Sequence, residues 1–153
     1  MVLTHLRGTA LTLAVAAAAL PAAAAGYGNP HLLKSVAALA SPAETPPVIV
    51  NVRPGADYAK GHIPGARHLD PDAVSDPDSP VAGALRAEAE LFGALGISAK
   101  RDVVLYDDKG GFHAARVFWL LEYLGHPRVR TYHRSWSEWG AAEDLPKAAA
   151  EAG

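Results

Sequence analysis

The sequence predicts an α/β fold in which helices cover both faces of a mainly parallel sheet. Three short runs of apolar and β-branched residues have the length of buried strands, at residues 48–52, 103–106 and 129–132. Stretches with apolar residues at helical spacing separate these runs. Apolar strands that alternate with helices are typical of parallel sheets buried on both faces. We therefore expect a three-layer domain.

The other elements follow from local signals along the chain. Asn29 and Pro30 predict the start of a helix that continues to residue 39, since asparagine caps helices and proline suits their first turn. Pro54 predicts a short helix that holds Tyr58. Glycines at 96 and 125 predict the ends of two longer helices. The remaining predicted segments are a Pro-rich loop at 41–47, a turn at 61–65, a surface loop at 70–80, helices at 85–95, 114–124 and 135–142, and a polar, glycine-containing loop at 107–111.

Residues 1–25 have the order of a secretory signal peptide. Arg7 precedes an uncharged apolar run at 10–20, and Pro21 and small residues follow. The run is shorter than the roughly 20 apolar residues that span a membrane. The alternative is an alanine-rich disordered tail. We expect cleavage near Ala25, a periplasmic or secreted product, and no membrane anchor after cleavage.

Composition limits the domain organisation and the chemistry. A chain of 153 residues, half of them apolar, suits one domain. We assign residues 26–47 and 48–146 to this domain, with the latter as its core, and 147–153 to a C-terminal tail. The net charge of −2 offers no basic footprint for nucleic acid. The chain has no cysteine, which excludes disulfides and every mechanism that needs its own thiolate nucleophile.

The loop after the strand at 103–106 is the predicted binding site. Ligands of parallel sheets bind beyond the carboxyl ends of strands, and this loop also leads into the start of a helix. Phe112 is expected to be exposed as a partner contact, whereas Phe118, Trp119 and Tyr123 are expected in the core. The candidate binding residues are Asp107, Asp108, Lys109, Gly110, Gly111, Phe112, His113 and Arg116.

Two segments of the chain carry a recognisable motif. The first segment supplies the structural motif residues, which are Asn51, Arg53, Asp57, Tyr58, Gly61, His62, Pro64 and Gly65. The second segment combines Val103-Val104-Leu105-Tyr106 with Ala114-Ala115-Arg116, Trp119, Gly125-His126 and Trp136. Together the two segments resemble the rhodanese (sulfurtransferase) family. The resemblance implies a rhodanese-like fold with a central, mainly parallel sheet.

The chain departs from the family pattern at several positions, and these departures indicate which members of the family it resembles. Catalytic members have a cysteine after the tyrosine, whereas this chain has Asp107. Together with the longer glycine-containing loop, this resembles the N-terminal, non-catalytic half of tandem thiosulfate or 3-mercaptopyruvate sulfurtransferases. The family's D-x-R reads Asn51-x-Arg53, which loses any salt bridge from the aspartate. The usual Asp-Gly-Gly reads His133-Arg134-Ser135.

The family's loop binds an anion with successive backbone N–H groups at a helix N-terminus. Asp107 is expected to fill these groups itself as a helix cap, which disfavours binding of a small oxyanion. An aspartyl nucleophile with Mg²⁺, and a metal site of Asp107, Asp108 and His113, are alternatives that we rank below a solvated capping loop. No cofactor is expected. We expect His62 to hydrogen-bond within its turn, Arg53 to pair with a carboxylate such as that of Asp57, and Arg116 to act as scaffold.

Three functions fit these observations. The domain is a binding or regulatory module for an exported sulfur-handling protein, with the loop at 107–113 as contact. Alternatively, it is one half of a split enzyme that associates with a separate catalytic rhodanese domain. The third is a sulfurtransferase that acts on thiosulfate or 3-mercaptopyruvate without its own persulfide cysteine. The first two are favoured because the nucleophile is missing.

Overall fold

A five-stranded parallel sheet forms the centre of the domain. The computed structural model describes residues 28–41, 44–74 and 81–149, without the side chains of residues 81–85. The strand order is β1-β5-β4-β2-β3, and all four pairings are parallel. The predicted parallel sheet is confirmed. The strands are β1 (Leu33–Lys34), β2 (Val48–Asn51), β3 (Arg67–His68), β4 (Val103–Tyr106) and β5 (Val129–Tyr132).

Helices cover both faces of this sheet. They are α1 (Val36–Ala40), α2 (Gly55–Lys60), α3 (Val81–Ala94), α4 (Phe112–Tyr123) and α5 (Trp136–Ala141), with 3-10 turns at Pro30–Leu32 and Pro71–Val74. Alternate residues of β4 point to opposite faces, and all four are buried because each face is covered. Val103 and Leu105 pack with the core residues of α3 and α4, whereas Val104 and Tyr106 pack with those of α1 and α5. The predicted three-layer arrangement is therefore correct.

The N-terminal helix predicted from Asn29 is wrong. Its segment forms a 3-10 turn, the edge strand β1 and the short helix α1. Asn29 makes no capping bond with its side chain, whereas Ser35 Oγ accepts the Ala38 N–H at 3.3 Å and starts α1 there. Helical spacing of the leucines concealed the strand because a two-residue strand is too short to show alternation.

The predicted signal peptide lies outside the described residues. Within the predicted C-terminal tail, Ala148 is held to the domain, because Ala148 and His62 exchange backbone hydrogen bonds of 2.8 and 3.0 Å. Across the described ranges, no helix has the length and apolar character needed to span a membrane.

Helix α4 does not bury all the side chains predicted for the core. Phe118 packs against the cluster beneath α3 and α4. Trp119 and Tyr123, in contrast, are 59% and 57% exposed, so their assignment to the core is wrong. Their positions place them on the side of α4 opposite Val117 and Leu121, which face the sheet.

Candidate functional site

The loop at residues 107–111 lies at the carboxyl end of β4. This strand is flanked by β2 and β5, so the loop starts at the centre of the sheet. Gly110 and Gly111 have φ of +66° and +91°, a left-handed conformation that glycine adopts without strain. These two residues turn the chain into α4, so that the first N–H groups of the helix face back toward the end of β4.

The carboxylate of Asp107 occupies these N–H groups. Oδ1 accepts hydrogen bonds from the backbone N–H of Lys109 and Gly111 at 3.0 and 2.8 Å. Oδ2 accepts from the N–H of His113 and Ala114 at 2.8 and 2.9 Å. Asp107 is only 3% exposed. One buried side chain therefore satisfies two amides of the loop and two of the first turn of α4, which a helix start otherwise leaves to solvent or to a ligand.

This arrangement decides the electrostatics of the loop. Four N–H groups and a helix N-terminus favour one negative charge at their focus. That charge is already present as the Asp107 carboxylate. An external oxyanion would have to displace a covalently attached competitor, and it would meet the repulsion of that carboxylate nearby. A carboxylate also cannot form a persulfide as a thiolate does.

A cavity of about 530 Å³ opens beside the loop, between α4, α5 and the ends of β4 and β5. Arg134 Nη1 and Glu138 Oε2 form an ion pair of 3.0 Å at its rim. Asp108 Oδ1 and the Tyr132 hydroxyl are buried, without a hydrogen-bond partner among the described residues. Burial raises the pKa of Tyr132 to about 12. The lining residues are Leu33, Tyr106, Asp107, Asp108, Gly110, Gly111, Ala114, Ala115, Thr131, Tyr132, His133, Arg134, Ser135 and Glu138.

The remaining predicted loop residues do not converge on one point. Lys109 is exposed. Phe112 is 75% exposed, as expected, and its ring packs edge-on against that of His113 at 5.3 Å. Arg116 Nε donates to the Val74 carbonyl at 3.1 Å, which agrees with a scaffold role. No cluster of His, Asp or Glu suitable for a metal ion occurs in the described ranges.

Asn51 and Arg53 lie behind the loop in the core. The fully buried Asn51 accepts the Arg53 N–H at 3.0 Å and donates through Nδ2 to the Tyr106 hydroxyl at 2.8 Å. The same hydroxyl accepts the Ile63 N–H at 3.1 Å. Asn51 thus joins the end of β2 to β4 and to the turn at 61–65. Burial is also the main cause that raises the pKa of Tyr106.

The predicted ion pair between Arg53 and Asp57 is wrong. Arg53 is 2% exposed, and its Nη2 donates to the Gly61 carbonyl. Its guanidinium lies 4.7 Å from the centre of the Trp136 ring, a cation–π contact. Asp57 instead pairs with the exposed Lys60 at 2.8 Å, and this lowers the pKa of Asp57. The arginine is therefore held by a carbonyl and an aromatic face.

The turn at 61–65 packs against α2, and the His62 ring bonds to this helix rather than within its own turn. His62 Nδ1 lies 3.0 Å from the Tyr58 carbonyl, and the His62 and Tyr58 rings stack with centres 3.9 Å apart. The Tyr58 hydroxyl donates to the Ala66 carbonyl at 2.8 Å. Gly65 has φ of +75°, as its turn requires. Pro64 is exposed and lies within the turn. These contacts hold the turn at 61–65 against α2.

Sequence reasoning missed Trp136 as a support of the candidate site. Its backbone N–H donates to the Asp107 carbonyl at 2.9 Å, and its ring makes the cation–π contact with the Arg53 guanidinium. A Cβ on Gly61 would approach the ring to 2.9 Å, and one on Gly140 would approach it to 3.3 Å. The glycines therefore make room for the ring. The sequence offered one signal for this role, because Trp136 is among the residues that carry the family resemblance.

Comparison with known proteins decides the family. The sequence model of the rhodanese-like domain matches residues 35–142, which is more than half of the chain. This chain belongs to the rhodanese-like domain family. The rhodanese-like domain is 44% identical over 82 residues to a thiosulfate sulfurtransferase of Pseudomonas aeruginosa, a match that covers 52% of this chain and 30% of the relative. It is 39% identical over 102 residues to that of Azotobacter vinelandii, covering 65% and 37%.

Solved structures show the same fold. The 3-mercaptopyruvate sulfurtransferase of Leishmania major aligns with a TM-score of 0.58 at 23% identity, covering 70% of this chain and 33% of that one. The anaerobic ergothioneine biosynthesis enzyme of Chlorobium limicola aligns with a TM-score of 0.65 at 18% identity, covering 82% and 33%. The rhodanese-like domain thus spans about a third of the length of each of these relatives.

Proposed function

We propose that this rhodanese-like domain is exported and does not transfer sulfur itself. Its role is that of a non-catalytic companion, which binds a separate sulfurtransferase domain that carries the cysteine. The observation that carries this proposal is the Asp107 carboxylate, which accepts hydrogen bonds from two N–H groups of the loop and two of the first turn of α4. Relatives of the chain are sulfurtransferases, and the chain spans only about a third of their length.

The chemistry of the loop supports the non-catalytic part. A sulfurtransferase cysteine attacks the outer sulfur of thiosulfate, so that a sulfur–sulfur bond forms and sulfite leaves. The 153 residues contain no cysteine to do this. Asp107 lies where the family resemblance implies the nucleophile, and its lone pairs are engaged by amides. The stable, occupied loop instead presents its outer residues, among them Lys109, to a partner.

The resemblance to the N-terminal half of tandem enzymes supports the companion role. In such enzymes the half without the cysteine is covalently joined to the half that has it. Export is supported by the sequence of residues 1–25, with its basic, apolar and small-residue regions. A partner in the same compartment follows from this.

The catalytic question is tested by thiocyanate formation from thiosulfate and cyanide. We expect the wild-type rate to equal the background without protein. The Asp107→Cys variant should gain the mass of one sulfur atom from thiosulfate and pass it to cyanide as thiocyanate, because four N–H groups then stabilise a thiolate. Asp108→Cys is the matched control, since its side chain receives none of these four bonds. Thiocyanate formed in proportion to wild-type protein would refute the non-catalytic role and favour the alternative, a sulfurtransferase without its own persulfide.

The companion role is tested by affinity capture from the exported fraction of the source organism. The expected result is recovery of a protein with a cysteine-bearing rhodanese-like domain. Lys109→Glu in the loop should abolish this recovery. Lys100→Glu is the control, because Lys100 is also exposed but precedes β4 at the opposite end of the sheet. Equal recovery with both variants would exclude the loop as the contact.

A further inference from the structure

Helix α4 carries an exposed aromatic face. Phe112, Trp119 and Tyr123 are 75%, 59% and 57% exposed. At 3.6 residues per turn, these three positions fall within about 40° of one another around the helix. Arg116 lies beside them and is also exposed. We call Phe112, Arg116, Trp119 and Tyr123 the α4 aromatic face.

This face is ordered by its own contacts. The rings of Trp119 and Tyr123 stack with centres 5.3 Å apart and planes at 23°. Arg116 is held at the edge of the face by the bond from its Nε to the Val74 carbonyl. Side chains that are already fixed lose little conformational freedom when a partner covers them. The face is therefore preorganised for contact with another surface.

We propose that the α4 aromatic face is the contact of a twofold-symmetric dimer of this chain. When two copies of α4 pair in antiparallel orientation about the middle of the helix, residues whose numbers sum to 235 lie opposite each other. Phe112 then lies opposite Tyr123 of the second copy, and Arg116 lies opposite Trp119. Every aromatic ring of the face gains a partner from the same face of the other copy, as a twofold interface requires.

The charges favour this pairing. Arg116 is the one charged residue of the face, and in this register it meets an indole rather than another cation. Arginine over tryptophan is a favourable cation–π pair. The two Arg116 side chains are offset by three helical positions, about 4.5 Å along the axis, so they do not lie opposite each other. Phe112 belongs both to this face and to the loop at 107–113 of the proposed function. Trp119 and Tyr123 lie outside that loop, so a change at Trp119 tests the dimer without altering the loop.

The size of the face sets the strength of the dimer. Fully buried aromatic side chains cover about 150–250 Å² each, so the exposed fractions leave about 400 Å² per copy to be covered. Both copies together contribute about 800 Å², which is below the roughly 1,200 Å² of stable complexes and typical of transient ones. We therefore expect a weak and reversible dimer.

Sedimentation velocity over roughly 5–500 μM protein tests the proposal, because weak association becomes measurable at the upper end of this range. The wild-type sedimentation coefficient should rise with concentration toward that of a dimer. Trp119→Ser should weaken association at least about tenfold, the scale of an interface anchor. Glu122→Ser is the control on the same helix, exposed but off the face, and should leave association unchanged. Circular dichroism verifies that both variants are folded.

The register is tested by cross-linking, which the absence of cysteine makes specific. A mixture of Phe112→Cys and Tyr123→Cys chains should form a mixed disulfide dimer on mild oxidation, in excess over either chain alone. A wild-type chain that stays monomeric across the concentration range would overturn the proposal. A dimer that Trp119→Ser leaves unchanged would overturn it as well, because another surface would then be the contact.

Discussion

Replacing Asp107 by alanine removes one acceptor from four backbone N–H groups. The bond from Ala114 is buried, and a buried amide that loses a charged acceptor costs about 2 kcal/mol. The bonds from Lys109, Gly111 and His113 are partly buried, so water recovers most of their energy and about 0.5 kcal/mol is lost at each. We therefore expect a total loss of about 3 to 4 kcal/mol.

A loss of this size is large against the 5–15 kcal/mol of a typical domain, and it should lower the melting temperature by roughly 10 °C. Urea denaturation followed by circular dichroism measures it, with the slope checked for two-state behaviour. Asp108→Ala is the matched control. Since Asp108 Oδ1 is buried without a partner among the described residues, its removal should leave the stability unchanged or raise it, not lower it. Equal stabilities for the two variants would refute the role assigned to the Asp107 carboxylate.

Two further predictions concern buried aromatic residues. Tyr132→Phe should stabilise the fold by about 1 kcal/mol, because the hydroxyl is buried without a partner among the described residues, whereas Tyr106→Phe should destabilise it by a similar amount. Burial raises the pKa of Tyr132 from 10.0 to about 12. The unfolded chain therefore loses this proton at lower pH than the folded chain, and the free energy of unfolding of the wild type should fall between pH 10 and 12. The fall should be less steep in Tyr132→Phe. Equal slopes of unfolding free energy against pH in the two proteins would contradict the raised pKa. Gly61→Ala should cost about 1–3 kcal/mol and change the tryptophan fluorescence, because its Cβ would lie 2.9 Å from the Trp136 ring, whereas Gly93→Ala in α3, with open space around it, should cost nothing.

Strand β4 could be predicted to the residue because it is buried on both faces and appears in the sequence as a continuous apolar run. Strand β5 was also located to the residue, although it contains Arg130 and only its two end residues are buried. The edge strands β1 and β3 could not be predicted. Each has two residues and lies at the border of the sheet, where one side lacks a neighbouring strand. Neither length nor composition marks them, and their pairing is decided by the strands beside them.

The candidate site was predictable in position but not in its contacts. The end of a central strand and the start of a helix locate the loop from the pattern alone. The partner of Arg53 was not predictable, because a carboxylate nearby in sequence is the default choice. Asp57 is instead drawn to Lys60 one turn along α2. The buried guanidinium meets Trp136, 83 positions away in the printed sequence, a contact that exists only in the folded chain.

Tertiary contacts, which the sequence does not show, also explain why Trp119 and Tyr123 were wrongly assigned to the core. Aromatic residues on an apolar helix are usually core, and α4 does bury one full side through Ala114, Val117 and Leu121. The helix has more apolar surface than the sheet beneath it can cover. This exposed apolar surface is the feature from which the dimer contact of the α4 aromatic face is proposed.

The Asp107 carboxylate also explains how the loop can keep its shape without a bound ligand. A ring of N–H groups at a helix start is costly when empty, because each buried donor without an acceptor loses its bond to water. In a loop built for thiosulfate or for a persulfide, the anion comes and goes with turnover. Here the anion is part of the chain and accepts all four bonds permanently. The same backbone geometry can therefore bind an external anion or form a purely structural loop. The side chain at position 107 decides which of the two it does.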